Sequence, residues 1–503
     1  MVNRVLVLGG GSAGFLAAIT LKSRLPDLQV AVIRSKDIGI IGVGEGTTVS
    51  VPNFLHGYLK IDPSEFQRLA RPTFKLGIRF EWGPRPFFNY TFSTQFDQHL
   101  RVLSRPTGFY CVDDEDVGFT TVNSALMTLG KAFVRLPDGT PGIRNEFAYH
   151  IENADFVSFL ETQAARVKVD VIDDTVVNVE QDEAGITLLN CKATGPQRAD
   201  LYVDCSGFYS VLLSRTFGEP FVSFKDSLFC DRAVVGGWAR PEAENVLPYT
   251  TAETMNAGWC WQIEHENRVN RGYVYSSAFI SDADAEAEFR AKNPRLDTTR
   301  VVKFVSGRYE RAWVKNVVAI GNSNGFVEPL ESTSLAVICE ECHALAVSLA
   351  DSGRRPGPAL AAVYNKRLRQ TWDDIRRFLA IHYKFNTRLD TPFWRAARAE
   401  TDLAGAEEIV GFFEENGPSI AWKSGLIAGR DVFSFEGWLA LLVGQKLPYA
   451  RDFRPDDRER QVWRSVKESN RAQAAAGLTV AETLAAVRSP QWRARPDFFR
   501  YPT

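Results

Sequence analysis

The sequence lacks long apolar runs and has little cysteine, and both shortages narrow the classes of protein it can belong to. No stretch approaches the roughly 18 apolar residues that a membrane-spanning helix requires. A basic start followed by an apolar block and a small-residue cleavage site is absent, so no secretory signal is predicted. The 503 residues contain only seven cysteines, and this odd number favours free thiols in a reducing compartment. We therefore expect a soluble, cytoplasmic protein.

An excess of charge of either sign is also lacking. Lys and Arg number 59 and Asp and Glu number 61, which gives a formal net charge of -2. This balance excludes a strongly basic surface, so neither nucleic acid nor a membrane is an expected partner. Aromatic side chains, in contrast, are abundant, with 34 Phe and 11 Trp. Aromatic walls suit a pocket for a flat ring, although each of these side chains could equally fill a hydrophobic core.

A glycine-rich turn near the N-terminus predicts a nucleotide site. Residues 4–8 have the pattern of a buried strand, 13–24 of a helix and 28–33 of a second strand, which together predict a parallel sheet covered by helices. The turn between the first strand and the helix fits the G-x-G-x-x-G motif. Its glycines permit a tight turn and close approach of the backbone to a pyrophosphate at the helix N-terminus. The predicted cofactor-binding residues of this turn are Gly9, Gly10, Gly11, Ser12, Ala13 and Gly14.

The ends of two later predicted strands favour FAD over a nicotinamide cofactor. The second strand ends in Arg34 rather than in the acidic residue that binds ribose hydroxyls, and an arginine there could suit the 2′-phosphate of NADP. The strand over 201–204 ends in Asp204 of an Asp-x-Ser-Gly segment, and a strand near 317–320 ends in Gly321. Both segments resemble the second and third nucleotide-contacting strands of the aromatic hydroxylase class of flavoproteins. Asp204 and Gly321 are therefore predicted to contact the cofactor.

Four further segments resemble the flavin-dependent tryptophan halogenase family. They are Gly-Val-Gly-Glu-Gly-Thr at 42–47, the lysine-containing segment 73–80, Gly-Trp-Cys-Trp-Gln-Ile-Glu at 258–264 and Phe-Val-Glu-Pro-Leu-Glu-Ser-Thr at 326–333. Segments at 382–383 and 390–394 resemble the helical C-terminal part of the family. The resemblance spans position 4 to about 445 in consistent order.

The resemblance implies an α/β fold with an FAD-binding, Rossmann-like parallel sheet, a β-rich substrate layer and a helical C-terminal region. The linker-like segment 353–358 contains two prolines and two glycines. We therefore expect a composite FAD-binding and substrate-layer domain over 1–355. A mostly helical region over 356–503 is expected to complete the substrate site.

The resemblance also implies a function, namely halogenation of an electron-rich aromatic ring such as an indole or phenol. In the family, reduced FAD from a separate flavin reductase, oxygen and chloride or bromide yield hypohalous acid, which crosses a tunnel to a lysine. That lysine corresponds to Lys75, and the carboxylate that assists it corresponds to Glu331. A small aromatic substrate and a flavin reductase are the expected partners. The sequence leaves undecided whether the chain forms a homodimer. The resemblance further implies flavin contacts at Gly44, Glu45 and Ser332 and halide contacts at Thr333 and Ser334.

These residues also have ordinary structural interpretations. Lys75 lies in an apolar, alternating stretch, where a lone lysine most often faces solvent. Glu331 could simply favour the N-terminus of the following helix, and Ser332 and Thr333 could be its N-caps.

Three departures from the family pattern keep other functions open. Glu264 stands where the family has Pro, Ser334 where Gly usually follows Thr, and Gly46 where it has Ala. The signature that ends at Glu264 separates halogenases from related monooxygenases, so an aromatic hydroxylase is an alternative. A flavin-binding protein without catalysis is a second alternative, against which the joint presence of Lys75 and Glu331 argues.

Aromatic and cysteine residues outside these motifs are harder to assign. The candidates for substrate contact are Tyr90, Phe92, Trp394 and Trp438. Two further tryptophans, Trp259 and Trp261, point the same way on a predicted strand and could be core. The Cys-x-x-Cys segment at 339–342 lies on a predicted helix without a second ligand pair, so packing is expected there and no metal.

Overall fold

A computed structural model gives the fold of the chain. The residues that it describes are 1–39, 44–93, 103–104, 108–112, 117–419, 423–427, 432–451, 454–492 and 499. Gly42 and Val43 lie outside them; they are the first two residues of the segment 42–47, which we call the strap.

A six-stranded sheet carries the glycine-rich turn. Its strands, in spatial order, are Trp313–Val314, Val317–Ala319, Leu201–Asp204, Arg4–Leu8, Gln29–Arg34 and Asp170–Asp173. Five of them run parallel, and the edge strand Trp313–Val314 is antiparallel. The continuous apolar run of the central strand fits this position, because a parallel strand is covered on both faces.

The two faces of this sheet are covered differently. The helices Ser12–Arg24, Asn153–Arg166 and Ser334–Asp351 contribute to the core on one face. The other face packs against a three-stranded sheet of Val176–Asp182, Gly185–Cys191 and Gly195–Gln197. The segment 170–182 forms two strands, Asp170–Asp173 in the six-stranded sheet and Val176–Asp182 in the three-stranded sheet. The carboxylate of Asp174, which lies between them, accepts backbone N–H groups of Thr175, Ala193 and Thr194 and so fixes the break.

A seven-stranded sheet forms the predicted β-rich middle layer. Its spatial order is Thr299–Lys303, Arg232–Ala239, Arg268–Tyr275, Gly258–Glu264, Thr250–Met255, Gly77–Glu81 and Phe88–Thr91. One face contributes Trp259 and Trp261 to a core that also contains Phe378 and Trp394 from later helices. The helices from Pro358–Phe385 to Ser434–Gly444 therefore share a hydrophobic core with this sheet.

Two small sheets connect these layers. One consists of Glu45–Gly46, Ala148–Ile151 and Thr73–Lys75, and it joins the strap to the strand that carries Lys75. The other consists of Phe221–Ser223, Gly307–Tyr309 and Gly325–Phe326, and it precedes the loop that carries Glu331.

The C-terminal part is helical, as predicted. Its α-helices are Pro358–Phe385, Pro392–Glu400, Glu407–Asn416, Lys423–Leu426, Ser434–Gly444, Asp457–Ala475 and Val480–Val487. Sequence signals explain several starts, because proline occupies the first turn of the first two, and the last two begin with capping boxes. The other α-helices of the described residues are Ser50–Pro52, Pro63–Leu69, Val122–Thr128 and Asp282–Lys292. Two short π-helices occur at Asn53–Tyr58 and Val211–Thr216. Short 3-10 helices occur at Phe109–Cys111, Val117–Phe119, Gly207–Tyr209, Gly321–Ser323 and Pro329–Glu331. Within the described part of the chain, every helix is too short or too polar to cross a membrane.

Candidate active site

The glycine-rich turn has the geometry of a phosphate-binding loop. Gly9 adopts a φ of +126°, and a Cβ at Gly9 would lie 2.2 Å from the carbonyl oxygen of Cys205. A Cβ at Gly14 would lie 1.9 Å from the Gly9 carbonyl oxygen, so the helix packs directly on the turn. In contrast, the space around Gly11 is open, and the helix that starts at Ser12 has no side-chain cap. Its first N–H groups are therefore available to an anionic ligand.

Arg34 is already paired at the end of the second strand. Its guanidinium contacts both carboxylate oxygens of Glu161 at 2.6 Å. The arginine charge is thereby balanced, which weakens the interpretation of Arg34 as a site for a 2′-phosphate. A Cβ at Gly10 would lie 2.4 Å from the Cβ of Arg34, so this strand end borders the glycine turn.

The strand ends at Asp204 and Gly321 are fixed by contacts inside the protein. The carboxylate of Asp204 is fully buried and accepts N–H groups of Ser206, Leu212 and Leu213. Asp204 therefore shapes the loop after its strand. Gly321 has a φ of +68°, and a Cβ there would lie 3.2 Å from Ala13 of the glycine turn.

A buried carboxylate fixes the Gly321 turn. Glu341 accepts the Gly321 N–H at 2.6 Å and the Asn324 side-chain amide at 2.7 Å. Burial raises the pKa of Glu341 to about 8, and these hydrogen bonds oppose that rise. The sequence interpretation missed this residue, because an acidic side chain inside an apolar helix gives no sign of its partner.

Lys75 is buried at the junction of the strap and the Glu331 loop. Its exposed fraction is 0%, so the alternative of a lysine that faces solvent does not hold. The ammonium donates to the Thr47 carbonyl oxygen at 3.0 Å and to the Ser332 hydroxyl at 2.7 Å. Burial lowers the pKa of Lys75 from 10.5 to about 7, and the charge of Glu331 opposes this shift. A lysine that titrates near neutrality can act as a hydrogen-bond donor or as a nucleophilic amine.

Glu331 is also buried, and its partner is a histidine. It ends a short 3-10 helix, Pro329–Glu331, and its Oε1 lies 2.8 Å from Nε2 of His382. Burial raises the pKa of Glu331, whereas His382 and Lys75 hold it down. The interpretation of Glu331 as a residue that only favours a helix start does not fit this contact, because its carboxyl binds a side chain of another helix.

The loop after Glu331 leads into an uncapped helix. Ser332 has a φ of +57°, and Thr333 is the N-cap position of the helix Ser334–Asp351. No side chain caps this helix, so the alternative in which Ser332 or Thr333 serves only as a capping side chain does not hold. Ser334 stays within ordinary negative φ, which explains why serine is accommodated where glycine was expected. The helix start leaves N–H groups for an anion.

The strap approaches Lys75 closely. A Cβ at Gly46 would lie 2.8 Å from the Ser332 hydroxyl and 3.1 Å from the Lys75 Nζ. A glycine at this position therefore leaves room for the lysine–serine contact. Gly44 has a φ of +75°, and the carboxylate of Glu45 accepts a hydrogen bond from Asn153 and has a raised pKa because of burial.

The four aromatic candidates occupy two environments. Phe92 is partly exposed, and the Lys75 Nζ lies 5.5 Å from the centre of its ring. Tyr90, two residues earlier, donates to the Phe433 carbonyl oxygen at 3.3 Å. Trp394 and Trp438 are fully buried in the hydrophobic core. Phe92 is therefore the candidate whose ring lies over the Lys75 ammonium.

Comparison with known proteins gives a consistent result. The family model for tryptophan halogenase matches residues 4–456. The tryptophan 6-halogenase ThaL of Streptomyces albogriseolus is 31% identical over 430 residues, 78% of each chain. The tryptophan 7-halogenase KtzQ of Kutzneria sp. is 32% identical over 449 residues, 83% of this chain and 82% of KtzQ.

The chain belongs to the tryptophan halogenase family.

Solved structures agree with this assignment. MibH, a lathipeptide tryptophan 5-halogenase, is 40% identical, with a TM-score of 0.89 over 97% of this chain and 94% of MibH. The chain is accordingly a flavin-dependent halogenase, an oxidoreductase, and its α/β fold is confirmed.

The halogenase accommodates its Glu264 without an unpaired charge. The Glu264 carboxylate is buried against the guanidinium of Arg240 and accepts the side-chain amide of Gln262. Its backbone carbonyl accepts the hydroxyl of Thr73, on the strand that carries Lys75. The glutamate therefore supports the lysine strand and lies in a closed ion pair.

The cysteines of this halogenase are core residues. All seven are free thiols and buried. Cys339 and Cys342 lie inside the helix Ser334–Asp351 and are each 1% exposed. Among the described residues, no group of His, Cys, Asp and Glu side chains is arranged to hold a metal ion.

Proposed function

We propose that this chain uses reduced FAD, oxygen and chloride or bromide to halogenate the indole ring of a tryptophan substrate. The observation that carries the proposal is the desolvated Lys75, held by Thr47 and Ser332 beside Glu331, in a chain of the tryptophan halogenase family. ThaL and KtzQ are both named as halogenases of tryptophan. Two buried ionisable groups with shifted pKa values in one place are typical of a catalytic site.

The residues around the glycine turn fit FAD. The open helix start at Ser12 suits a pyrophosphate. Nε of Arg34, at the strand end that borders the glycine turn, is buried and has no hydrogen-bond partner among the described residues. The same holds for Oε2 of Glu45 in the strap and for Oδ1 of Asn153, whose side-chain amide donates to Glu45. Such unpaired polar atoms suit the hydroxyl-rich part of a flavin nucleotide. Bound reduced FAD would supply the reducing power with which oxygen and halide give hypohalous acid.

The halide-binding residues would be Thr333 and Ser334. Their backbone lies at an uncapped helix N-terminus, which carries a partial positive charge. Ser332, between Glu331 and Thr333, links this position to the lysine through its hydroxyl. Halide and lysine would thus contact neighbouring residues of one loop.

Lys75 and Glu331 would divide the chemistry at the substrate ring. Lys75 holds the hypohalous acid by hydrogen bonding or forms a haloamine with it, because burial brings its pKa to about 7. Glu331 polarises the reagent or accepts the proton that the ring carbon loses. Exclusion of water keeps the oxidant from side reactions. Phe92, whose ring faces the lysine, would contact the indole.

The test is a turnover assay with FAD, an added flavin reductase and NADH, with tryptophan as substrate. Reactions contain bromide, chloride or no halide, and mass spectrometry detects the isotope pattern of a halogenated product. We expect halide-dependent product from the wild type and none from Lys75→Ala. An oxygenated product without halide would instead establish the aromatic hydroxylase.

A tryptophan within a peptide is a second candidate substrate. The observation that favours it is the 40% identity and 97% coverage shared with MibH, which is named for a peptide substrate. The same assay with free L-tryptophan, its N-acetyl amide and a tryptophan-containing peptide separates the two. Higher kcat/KM for the peptide would assign the peptide-borne ring, and higher kcat/KM for L-tryptophan would assign the free amino acid.

A further inference from the structure

His382 lies deep in the protein and bridges two elements. It belongs to the helix Pro358–Phe385, is 1% exposed and contacts Glu331 on the 3-10 helix Pro329–Glu331. Its ring lies 5.2 Å from the ring of Phe80, 5.9 Å from that of Trp82 and 5.2 Å from that of Phe378. These rings fix the plane of the imidazole and keep water away from it.

The hydrogen bonds of His382 determine where its protons are. Nδ1 lies 2.8 Å from the Phe378 carbonyl oxygen, which only accepts, so Nδ1 carries a hydrogen and donates it. A neutral imidazole then has a lone pair at Nε2, which faces Oε1 of Glu331 at 2.8 Å. An imidazole nitrogen and a carboxylate oxygen that both present a lone pair would repel each other at this distance. One proton therefore lies between Nε2 and Oε1, whichever atom carries it.

This arrangement engages one oxygen of Glu331 and connects its loop to Lys75. Oε1 is engaged by His382, and the residue that follows Glu331, Ser332, is engaged by Lys75. His382, Glu331, Ser332 and Lys75 thus form one continuous buried row. The charged groups that act on the Glu331 carboxyl are His382 and Lys75.

We propose that His382 is a positioning residue for halogenation, which holds Oε1 of Glu331 through the shared proton so that Oε2 faces the substrate ring. In the step that this serves, the ring carbon forms a bond to the halogen as the bond from halogen to its donor atom breaks. The electron pair of that broken bond stays on the donor atom, which is the oxygen of hypohalous acid or the nitrogen of a Lys75 haloamine. The C–H proton then passes to Oε2 of Glu331 while the shared proton resides on Nε2 of His382, so that Glu331 ends the step as a neutral carboxyl and the C–H electron pair returns to the ring. The inference rests on the proposed function for this step, whereas the shared proton stands on geometry alone.

Two variants distinguish positioning from packing. His382→Phe keeps an aromatic ring but removes the donor to Oε1, and His382→Gln keeps an N–H donor that reaches the same oxygen. We expect His382→Phe to lower kcat by about 100-fold, within the range that general acid–base groups contribute, and to leave the substrate KM within about twofold. We expect His382→Gln to recover kcat to within about 10-fold of the wild type.

His56 supplies the matched control. It is also buried, its Nδ1 also faces a backbone carbonyl, that of Ile61, and its Nε2 faces the Tyr149 hydroxyl rather than a carboxyl. His56→Phe reports what loss of a buried histidine does to the melting temperature and to kcat. The proposal is overturned if His382→Phe keeps wild-type kcat. It is equally overturned if His382→Phe, His382→Gln and His56→Phe lower kcat alike.

A spectroscopic measurement tests the shared proton without any turnover. In ¹⁵N-histidine-labelled protein, we expect a protonated Nδ1 for His382 and a downfield proton signal at Nε2 that changes in Glu331→Gln. An unprotonated Nδ1, or a proton signal at Nε2 that is unchanged in Glu331→Gln, would overturn the assignment. Should the wild type make no halogenated product, the proposed function fails, and this spectrum still decides whether the pair shares a proton.

Discussion

Burial of the Lys75 ammonium should destabilise the fold at neutral pH, and Lys75→Met measures by how much. The pKa of Lys75 falls from 10.5 to about 7 because the ammonium is desolvated. Each unit of that pKa difference corresponds to about 1.4 kcal/mol, so burying the charged form rather than the neutral amine costs about 5 kcal/mol. Methionine fills a similar volume and carries no charge, although it leaves the Thr47 carbonyl and the Ser332 hydroxyl without their donor.

The sign of the pH dependence follows from the two pKa values. Between pH 7 and 10.5 the unfolded wild type binds one more proton than the folded protein, so raising the pH stabilises the wild type. Lys75→Met lacks this group. Its stability relative to the wild type is therefore highest at or below pH 7, and it should fall by about 1.4 kcal/mol per pH unit above that.

The assay is urea unfolding at pH 6, 7, 8 and 9 and constant ionic strength, followed by tryptophan fluorescence. Lys192→Met is the matched control, because Lys192 is exposed. We expect the free energy of unfolding of Lys75→Met, relative to that of the wild type, to fall by roughly 2–3 kcal/mol from pH 7 to 9. A difference that stays constant from pH 6 to 9 would refute the reasoning, since Lys75 would then have an ordinary pKa.

Three further predictions concern single residues. Glu331→Gln should lower product formation by about 10²–10⁴-fold without unfolding the protein, and wild-type rates would make Glu331 a structural residue only. Gly46→Ala should change kcat by no more than about 10-fold while FAD still binds, because the family pattern has Ala here and the atoms nearest the new Cβ, the Ser332 hydroxyl and the Lys75 Nζ, are ends of flexible side chains; Gly411→Ala, whose Cβ meets open space, is the control. Trp394→Phe should lower stability by about 1–3 kcal/mol rather than raise the substrate KM, because the indole N–H donates to the Met255 carbonyl oxygen in the core. A raised KM with unchanged unfolding would restore Trp394 as a substrate contact.

Local patterns determined the family and much of the fold. The apolar run of 4–8, the glycine turn and the following helix predicted the first βαβ unit, because glycine spacing and apolar periodicity act over a few residues. The proline and capping signals similarly determined where several C-terminal helices begin. The order of the halogenase segments along the chain was enough to assign the family.

Tertiary structure alone decided the environment of each functional side chain. Lys75 follows the pattern of a solvent-facing lysine, and it is buried because Thr47 and Ser332, 28 and 257 residues away in sequence, supply acceptors for its ammonium. Glu331 meets His382 across 51 residues, and no local pattern encodes that pairing. Desolvation depends on everything that surrounds a group. The residue types of this site were therefore evident from the sequence, whereas their protonation was set only by the packing of distant segments.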